Sequence, residues 1–228
     1  MDIFSFTDKG LRENNEDYLL NRQLSPDCSI HLVADGMGGC QYGEVASSIA
    51  CHAIADYLES HFHDVNPEQN IRDSIDFAND QIRMQRESVK EKLGTTIAGA
   101  LICRNKAWAF WLGDVRIYHF REGQILFQSE DHSLVNEMKK ERVVSPKDII
   151  RYGNIVTKSI AGNTMPDRLP IFHFELSRND QLVLCTDGFW RNINLQLIIH
   201  QSKDTLQNSF FEMGKKIDDN YSILWIGN

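Results

Sequence analysis

Apolar residues recur at helical spacing in the first third of the chain, and two amphipathic helices are predicted there. The first covers residues 44–62, and its apolar stripe consists of Val45, Ile49, Ile54, Leu58 and Phe62. The second has the start signals of a helix, with Asn66 as the cap, Pro67 at the first position and Gln69 at the third. Its inward face consists of Ile71, Ile75, Ala78 and Ile82.

After Gly94 the pattern changes to short apolar strands separated by brief polar turns. The predicted strands are residues 95–103, 106–112, 115–121, 124–128, 171–176, 181–185 and 221–226. The first six are expected to pair as three consecutive hairpins, the last of which turns at residues 178–180. Short turns favour antiparallel sheets over βαβ units, so the pattern predicts α+β layers.

Residues 134–165 are less regular, because residues 138–142 are charged, Pro146 interrupts the chain and residues 151–154 resemble a loop. We interpret this segment as a surface flap. A last helical pattern follows at residues 195–217. No repeat or linker is visible, and 228 residues suffice for one well-buried core, so a single domain over residues 1–228 is predicted.

Composition narrows the cellular setting. The net charge of −8 disfavours binding to nucleic acid or to an anionic membrane. No apolar stretch approaches the ~20 residues of a membrane helix, and residues 1–4 do not resemble a signal peptide. The cysteines are Cys28, Cys40, Cys51, Cys103 and Cys185. Their odd number and the lack of zinc-type spacing predict reduced thiols and a cytoplasmic location.

Several apolar runs end at a carboxylate, most clearly at Asp35, which precedes Gly36, Gly38 and Gly39. The acidic set comprises Glu16, Asp17, Asp35, Asp114, Asp187 and Asp219. Turn chemistry explains a single Asp-Gly pair but not so many acidic strand ends. Ligands that are oxygen only favour Mg²⁺ or Mn²⁺. Two such ions ~3.5–4 Å apart could share Asp35 and hold a bridging water of lowered pKa.

Four further polar features of the sequence have both a functional and a structural interpretation. Arg12 lies four residues before Glu16. A guanidinium near a metal centre fits if a phosphate monoester binds between the two. The alternative is that Arg12 forms an ordinary surface ion pair. Residues 94–96 lack the spacing of a phosphate-binding loop. Residues 131–133 read Asp-His-Ser but are interpreted as structural, because catalytic triads are rarely contiguous. A redox role for Cys40 is disfavoured, because a thiol near carboxylates resists ionisation.

In this order and spacing the motifs resemble the metal-dependent type 2C protein phosphatases, the PPM family, in their compact bacterial form. The matching stretches are residues 7–17, 34–39, 43–47, 94–96, 113–116, 131–133, 185–188 and 219–220. Each motif alone is weak evidence for the family, but all of them in this order are highly specific for it. Together they span nearly the whole chain. The resemblance implies a four-layer α/β/β/α sandwich, two antiparallel β-sheets flanked by helices, with a dinuclear metal site at one end.

The resemblance also implies a role for each matched residue. Asp35 is expected to bridge two Mn²⁺ or Mg²⁺ ions, and Asp187 and Asp219 to complete the shell of one of them. Glu16 and the carbonyl of Gly36 are expected to serve the other ion. The implied reaction is one-step hydrolysis of phosphoserine or phosphothreonine by the bridging hydroxide, without a phosphoenzyme.

Three further roles follow from the same resemblance. Asp17 is expected close to the ions through waters, and Arg12 is expected to bind the substrate phosphate. Asp114, together with Asp187, matches the position of a third ion in bacterial members.

The chain departs from the family pattern at three places. Met37 stands where eukaryotic members have a His proposed as general acid, so the leaving alkoxide is expected to take its proton from water. Val115 replaces a common Ser. Residues 157–162 diverge from the family's Thr-Arg-Ala-Leu-Gly motif, which leaves the substrate preference open.

Two other functions stay open from sequence. One is a phosphatase-like scaffold that binds phosphoproteins or a kinase, although no matched ligand position is missing. The other is hydrolysis of a different phosphoester, such as a small metabolite or a nucleotide. The leading hypothesis, a metal-dependent Ser/Thr protein phosphatase, implies a phosphorylated protein as substrate and a cognate Ser/Thr kinase as partner. We expect a monomer without nucleic-acid or membrane partners.

Overall fold

The computed structural model describes residues 1–37, 42–61, 66–165, 169–201 and 203–227. The sequence predictions for Gly38, Gly39, Cys40 and Phe62 lie outside these residues. No helix in the described ranges combines the length and the apolar character needed to span a membrane.

The described strands form two five-stranded antiparallel sheets. The first sheet has the order β1-β10-β9-β6-β7, and its strands are β1 Asp2–Asp8, β10 Tyr221–Gly227, β9 Gln181–Cys185, β6 Arg116–Arg121 and β7 Gln124–Gln128. The second has the order β2-β3-β4-β5-β8, and its strands are β2 Asp17–Ser25, β3 Cys28–Asp35, β4 Ile97–Cys103, β5 Lys106–Leu112 and β8 Ile171–Glu175.

Helices cover the outer face of each sheet. Those against the second sheet are α1 Gly43–His61 and α2 Pro67–Val89. Those on the side of the first sheet are α5 Asp187–Trp190, α6 Leu195–Ile198 and α7 Lys203–Gly214. The layers are therefore α/β/β/α, which confirms the predicted fold class. The two predicted N-terminal helices are also confirmed, and Asn66 caps α2 by accepting a hydrogen bond from the backbone N–H of Gln69.

The core has three parts because both faces of each sheet are covered. Trp111 and Leu184 lie in the apolar layer between the two sheets. Ile54 of α1 and Phe110 of β5 lie in the layer between helices and the second sheet. Phe210 of α7 lies in the third layer, against the first sheet. Trp111 and Phe110 are consecutive in β5, so their side chains enter different layers.

One predicted hairpin is wrong. Residues 171–176 and 181–185 were expected to pair with each other, but β8 pairs with β5 in the second sheet, whereas β9 pairs with β10 and β6 in the first. The short connection between them crosses from one sheet to the other. Alternating apolar residues report that a strand is buried but not which sheet it joins, so the sequence could not make this distinction. The other two hairpins, β4–β5 and β6–β7, are confirmed.

The reading of the flap segment as irregular is also wrong for its first half. It contains two helices, α3 Leu134–Glu141 and α4 Pro146–Tyr152. Ser133 caps α3, and Ser145 caps α4 in a reciprocal capping box with Asp148. Pro146 begins α4 rather than breaking a helix, because the first helical position needs no N–H donor.

The prediction that all cysteines are reduced is wrong for one pair. Cys28 and Cys103 face each other at the paired ends of β3 and β4 and form a disulfide. Cys51 and Cys185 are free and buried. The strand register brings the two bonded residues together, and a count of cysteines carries no information about register.

Candidate metal centre

The two sheets bring acidic strand ends together at one end of the sandwich. In the second sheet, Asp17 begins β2 directly opposite Asp35, the last residue of β3. The carbonyl of Asp35 is held by hydrogen bonds from the backbone N–H of Thr96, at 2.9 Å, and the hydroxyl of Thr95, at 2.8 Å. Like charges placed opposite each other destabilise a sheet, so this pair needs a compensating positive charge.

The first sheet contributes three more carboxylates, one from its central strand β9 and one from each neighbour of β9. Asp187 follows β9, Asp219 precedes β10, and Asp114 precedes β6, and both β10 and β6 are antiparallel neighbours of β9. Gly188 lets the chain after β9 pass close to the chain before β10. A Cβ atom there would collide with the carbonyl oxygen of Asn220.

These residues surround a cavity of about 370 Å³. Its lining includes seven of the eight residues predicted from sequence: Arg12, Glu16, Asp35, Gly36, Asp114, Asp187 and Asp219. Met37, Asn154 and Val156 also line it, so the flap segment forms part of the wall. The eighth residue, Asp17, is buried and pairs with Asp35.

The loop after β1 brings Arg12 and Glu16 to the cavity. A guanidinium nitrogen of Arg12 lies 3.1 Å from a carboxylate oxygen of Asp219, and its Nε donates to the carbonyl of Asp218. The backbone N–H of Glu16 donates to the side-chain oxygen of Asn220 at 2.8 Å, and its carbonyl accepts from the N–H of Gly36 at 3.0 Å. The loop is therefore tied to both sheets.

Asp17 has one satisfied and one unsatisfied oxygen. Oδ2 accepts hydrogen bonds from the hydroxyls of Ser222, at 2.6 Å, and Thr186, at 2.9 Å. Oδ1 is buried and has no hydrogen-bond partner among the described residues. Burial raises the pKa of Asp17 to about 7, although the two hydroxyls oppose the shift. A buried acceptor without a donor is the environment in which a cation is favourable.

Several carboxyl groups of the cluster have raised pKa values, because they are buried close to one another. Burial, together with the charges of Asp17, Asp187 and Asp114, raises the pKa of Asp35 well above its ordinary value. Burial and Asp187 raise the pKa of Asp114 to about 7. The pKa of Asp187 and of Glu16 is also raised, in both cases chiefly by burial. Such a set gains stability when divalent cations bind it.

The carboxylate and carbonyl oxygens suit hard divalent ions, although the described side chains are not yet close enough together to coordinate one. Among the residues that the structure describes, no three His, Cys, Asp or Glu side chains already form a ready coordination group. The carboxylates would therefore have to draw together around an ion. The unsatisfied oxygen of Asp17, the opposed pair with Asp35 and the raised pKa values all favour that change.

One charged residue of the site was missed from sequence. Arg191 lies 3.2 Å from a carboxylate oxygen of Asp187 and 3.5 Å from one of Asp114. Its spacing of four residues from Asp187, across a short helix, is the signal that would have revealed it.

The contiguous Asp-His-Ser sequence has the structural role that was predicted. Asp131 forms a two-point ion pair with Arg116, and His132 accepts a hydrogen bond from the N–H of Gly113. Ser133 caps α3. These three side chains are engaged separately and do not form a hydrogen-bonded relay.

Comparisons with known proteins give the family. The protein phosphatase 2C family profile matches residues 11–221, so the chain belongs to the protein phosphatase 2C family. It is 30% identical over 193 residues to the serine/threonine phosphatase stp of Listeria welshimeri, which covers 80% of this chain and 75% of that protein. It is 29% identical over 202 residues to the protein phosphatase PhpP of Streptococcus pneumoniae, which covers 85% of this chain and 81% of PhpP.

Solved structures share the fold. The serine/threonine phosphatase Stp1 from Staphylococcus aureus is similar with a TM-score of 0.86 and 24% identity, over 100% of this chain and 94% of that one. The catalytic domain of the phosphatase PstP in complex with two manganese ions has a TM-score of 0.82 and 22% identity, over 98% and 96%.

Proposed function

We propose that this chain is a metal-dependent protein phosphatase that hydrolyses phosphoserine and phosphothreonine in proteins. The observation that carries the proposal is the convergence of five carboxylates and Arg12 on one open cavity at the end of the sandwich. Family membership and the names of the relatives, which are serine/threonine phosphatases, support the same reaction. A single catalytic domain over residues 1–228, with the flap beside its cavity, fits this role.

The acidic residues would hold two Mn²⁺ or Mg²⁺ ions. Asp35 lies centrally and is the proposed shared ligand. Asp187 and Asp219 would complete one shell, and Glu16 with the carbonyl of Gly36 would complete the other. When bound, such ions lower the pKa of a coordinated water and offset the charge of a phosphoryl group. Asp17 would act next to the ions, because its unsatisfied oxygen can accept from a metal-held water.

Arg12 is the proposed phosphate ligand. Its side chain is 53% exposed and its guanidinium contacts Asp219 at the rim, so it can turn toward a substrate without breaking buried packing. A guanidinium can bind two phosphoryl oxygens at once. Met37 lines the same cavity but has no ionisable proton, so water would protonate the leaving serine or threonine oxygen.

The test is hydrolysis by metal-free protein to which Mn²⁺ is returned. We expect release of phosphate from phosphoserine and phosphothreonine peptides and from p-nitrophenyl phosphate, and its abolition by EDTA and by Asp187→Ala. Asp27→Ala, which changes an exposed carboxylate remote from the cavity, is the matched control. Absence of hydrolysis at saturating Mn²⁺, with ions still bound, would favour the scaffold alternative. Faster hydrolysis of nucleotides or small phosphate esters than of phosphopeptides would favour the other alternative.

The proposed partners are a phosphorylated protein and the Ser/Thr kinase that phosphorylates it. We also propose a monomer in the cytoplasm. Size-exclusion chromatography with light scattering tests the first point, because a monomer elutes with a mass of 26.2 kDa. Fractionation of cells that express the protein tests the second. Recovery of the protein in the cytoplasmic fraction is expected, whereas recovery in a membrane or extracellular fraction would contradict a cytoplasmic location.

A further inference from the structure

One position beside the cavity is filled by the positive charge of a side chain, Arg191. Nη2 of Arg191 lies 3.2 Å from Oδ2 of Asp187, 3.5 Å from Oδ2 of Asp114 and 3.2 Å from the carbonyl oxygen of Gly153. Two carboxylates and a carbonyl thus converge on a single nitrogen. Asp114 and Asp187 are the two residues that the family resemblance assigns to a third metal ion.

The guanidinium is held in place from the flap side. Its Nη1 donates to the side-chain oxygen of Asn154 at 2.6 Å, and its Cζ lies 5.1 Å from the centre of the Trp190 ring. The Arg191 side chain is 30% exposed, whereas those of Asp114 and Asp187 are 7% and 14% exposed. The charge is therefore fixed between the two buried carboxylates and the flap residues Gly153 and Asn154.

A third divalent ion does not fit beside this group. Arginine stays protonated under all conditions in which a protein is folded, so its charge cannot be removed to admit a cation. Nη2 already engages one oxygen of each carboxylate, so a divalent ion bound by Asp114 and Asp187 would lie beside a fixed positive charge. The residues present therefore disagree with a third ion at this position.

We infer that Arg191 takes the place of a third metal ion between Asp114 and Asp187, so that this chain has a two-ion centre with one built-in cation. The inference rests on the proposed function for its assignment of carboxylates to ions. Arg191 is a positioning residue here, because it acts on Asp114, Asp187 and the flap loop and not on the substrate.

The experiment counts bound ions, independently of catalysis. Metal-free protein is saturated with Mn²⁺, and the ions retained per chain are counted by native mass spectrometry and by isothermal titration calorimetry. The variants are Arg191→Ala, Arg191→Lys and Asp114→Asn, each checked for folding by circular dichroism. Arg191→Lys is the matched control, because it keeps the positive charge but loses the planar fork.

The inference predicts that Arg191→Ala binds one more Mn²⁺ than the wild type, because its removal frees three oxygens that suit a hard ion. Arg191→Lys should show no gain. An equal count for wild type and Arg191→Ala, or a gain in Arg191→Lys, would overturn it. Asp114→Asn leaves Arg191 in place. This variant should bind as many ions as the wild type, because Asp114 contacts Arg191 instead of an ion. Loss of an ion in Asp114→Asn would also overturn the inference.

Failure of the inference is distinguishable from failure of the proposed function. Wild-type protein that hydrolyses phosphopeptides and binds a third ion at Asp114 would keep the function and remove the role of Arg191. If Arg191→Ala gains an ion but the wild type hydrolyses nothing, the role of Arg191 stands and the proposed function fails.

Discussion

Replacing Asp17 with Asn should stabilise the metal-free protein. Asp17 is buried opposite Asp35, and one of its oxygens has no partner within the described residues. Asn has nearly the same shape. Its oxygen can still accept from Ser222 and Thr186, and its amide can donate toward Asp35. The substitution therefore removes a buried charge without removing the hydrogen bonds that hold the side chain.

The size of the effect follows from the pKa of Asp17, which rises from 3.8 to about 7 on folding. A carboxyl group with a raised pKa favours the folded state less and less as pH rises from about 4 to about 7, and the penalty is constant above that range. One pKa unit corresponds to about 1.4 kcal/mol, so the charge costs at most about 4 kcal/mol at pH 8. Asp17 and Asp35 repel each other when both are charged, so they lose their protons as a coupled pair and the cost of the Asp17 charge alone is smaller than this maximum.

The assay is thermal unfolding of wild type and Asp17→Asn in chelator, from pH 4 to pH 8. A gain of about 4 kcal/mol corresponds to a rise in Tm of roughly 8–16 °C for a chain of this size. The gain should shrink toward zero at pH 4. Asp27→Asn is the control, because Asp27 forms a surface ion pair with Arg104 that is worth at most about 1 kcal/mol.

Saturating Mn²⁺ should reverse the order of stability. The wild type gains more from the ions, because Asp17 then has a positive charge near it, whereas Asn does not. The reasoning would be refuted if Asp17→Asn destabilised the metal-free protein at pH 8, or if its Tm difference from wild type did not depend on pH.

Three further predictions concern other parts of the cavity. Arg12→Ala should lower kcat/KM for a phosphopeptide by about 10- to 100-fold, the equivalent of one charge-assisted hydrogen bond, and steady-state kinetics with an unchanged kcat/KM would contradict its role. Gly188→Ala should destabilise the protein by about 1–3 kcal/mol, because the new Cβ meets the carbonyl of Asn220, and a thermal melt identical to wild type would show that the approach is not tight. Met37→Leu should keep kcat within about twofold, because the swap conserves volume and the side chain has no proton to give, and a far larger loss would assign chemistry to the sulfur.

The layers of the fold could be predicted from sequence because apolar periodicity reports burial. The amphipathic stripe of α1 and the start signals at Asn66 and Pro67 are local, and both helices were confirmed. Pairing across sheets is not local. The β8–β9 hairpin was wrong because the chain crosses between sheets there, and the Cys28–Cys103 bond depends on the register of β3 and β4.

The candidate site was predictable to the extent that acidic residues at strand ends carry a signal in sequence. Asp35 and Asp187 each follow a buried strand and precede a glycine, and the structure brings them to the same cavity. Arg191 lacks such a mark. Its spacing of four residues from Asp187 is a weak local signal, and its contact with Asp114, which is 77 residues away along the chain, is visible only in the structure. Its contact with Asn154 depends in turn on how the flap packs.

The central claim is that Asp35 anchors two divalent ions at the end of the sandwich. The most direct measurement is an anomalous difference map at the manganese absorption edge, from crystals of the protein soaked in Mn²⁺. We predict two peaks that share Asp35, one beside Glu16 and Gly36 and the other beside Asp187 and Asp219. A map without a peak at Asp35, or with its strongest peaks outside this cavity, would contradict the account.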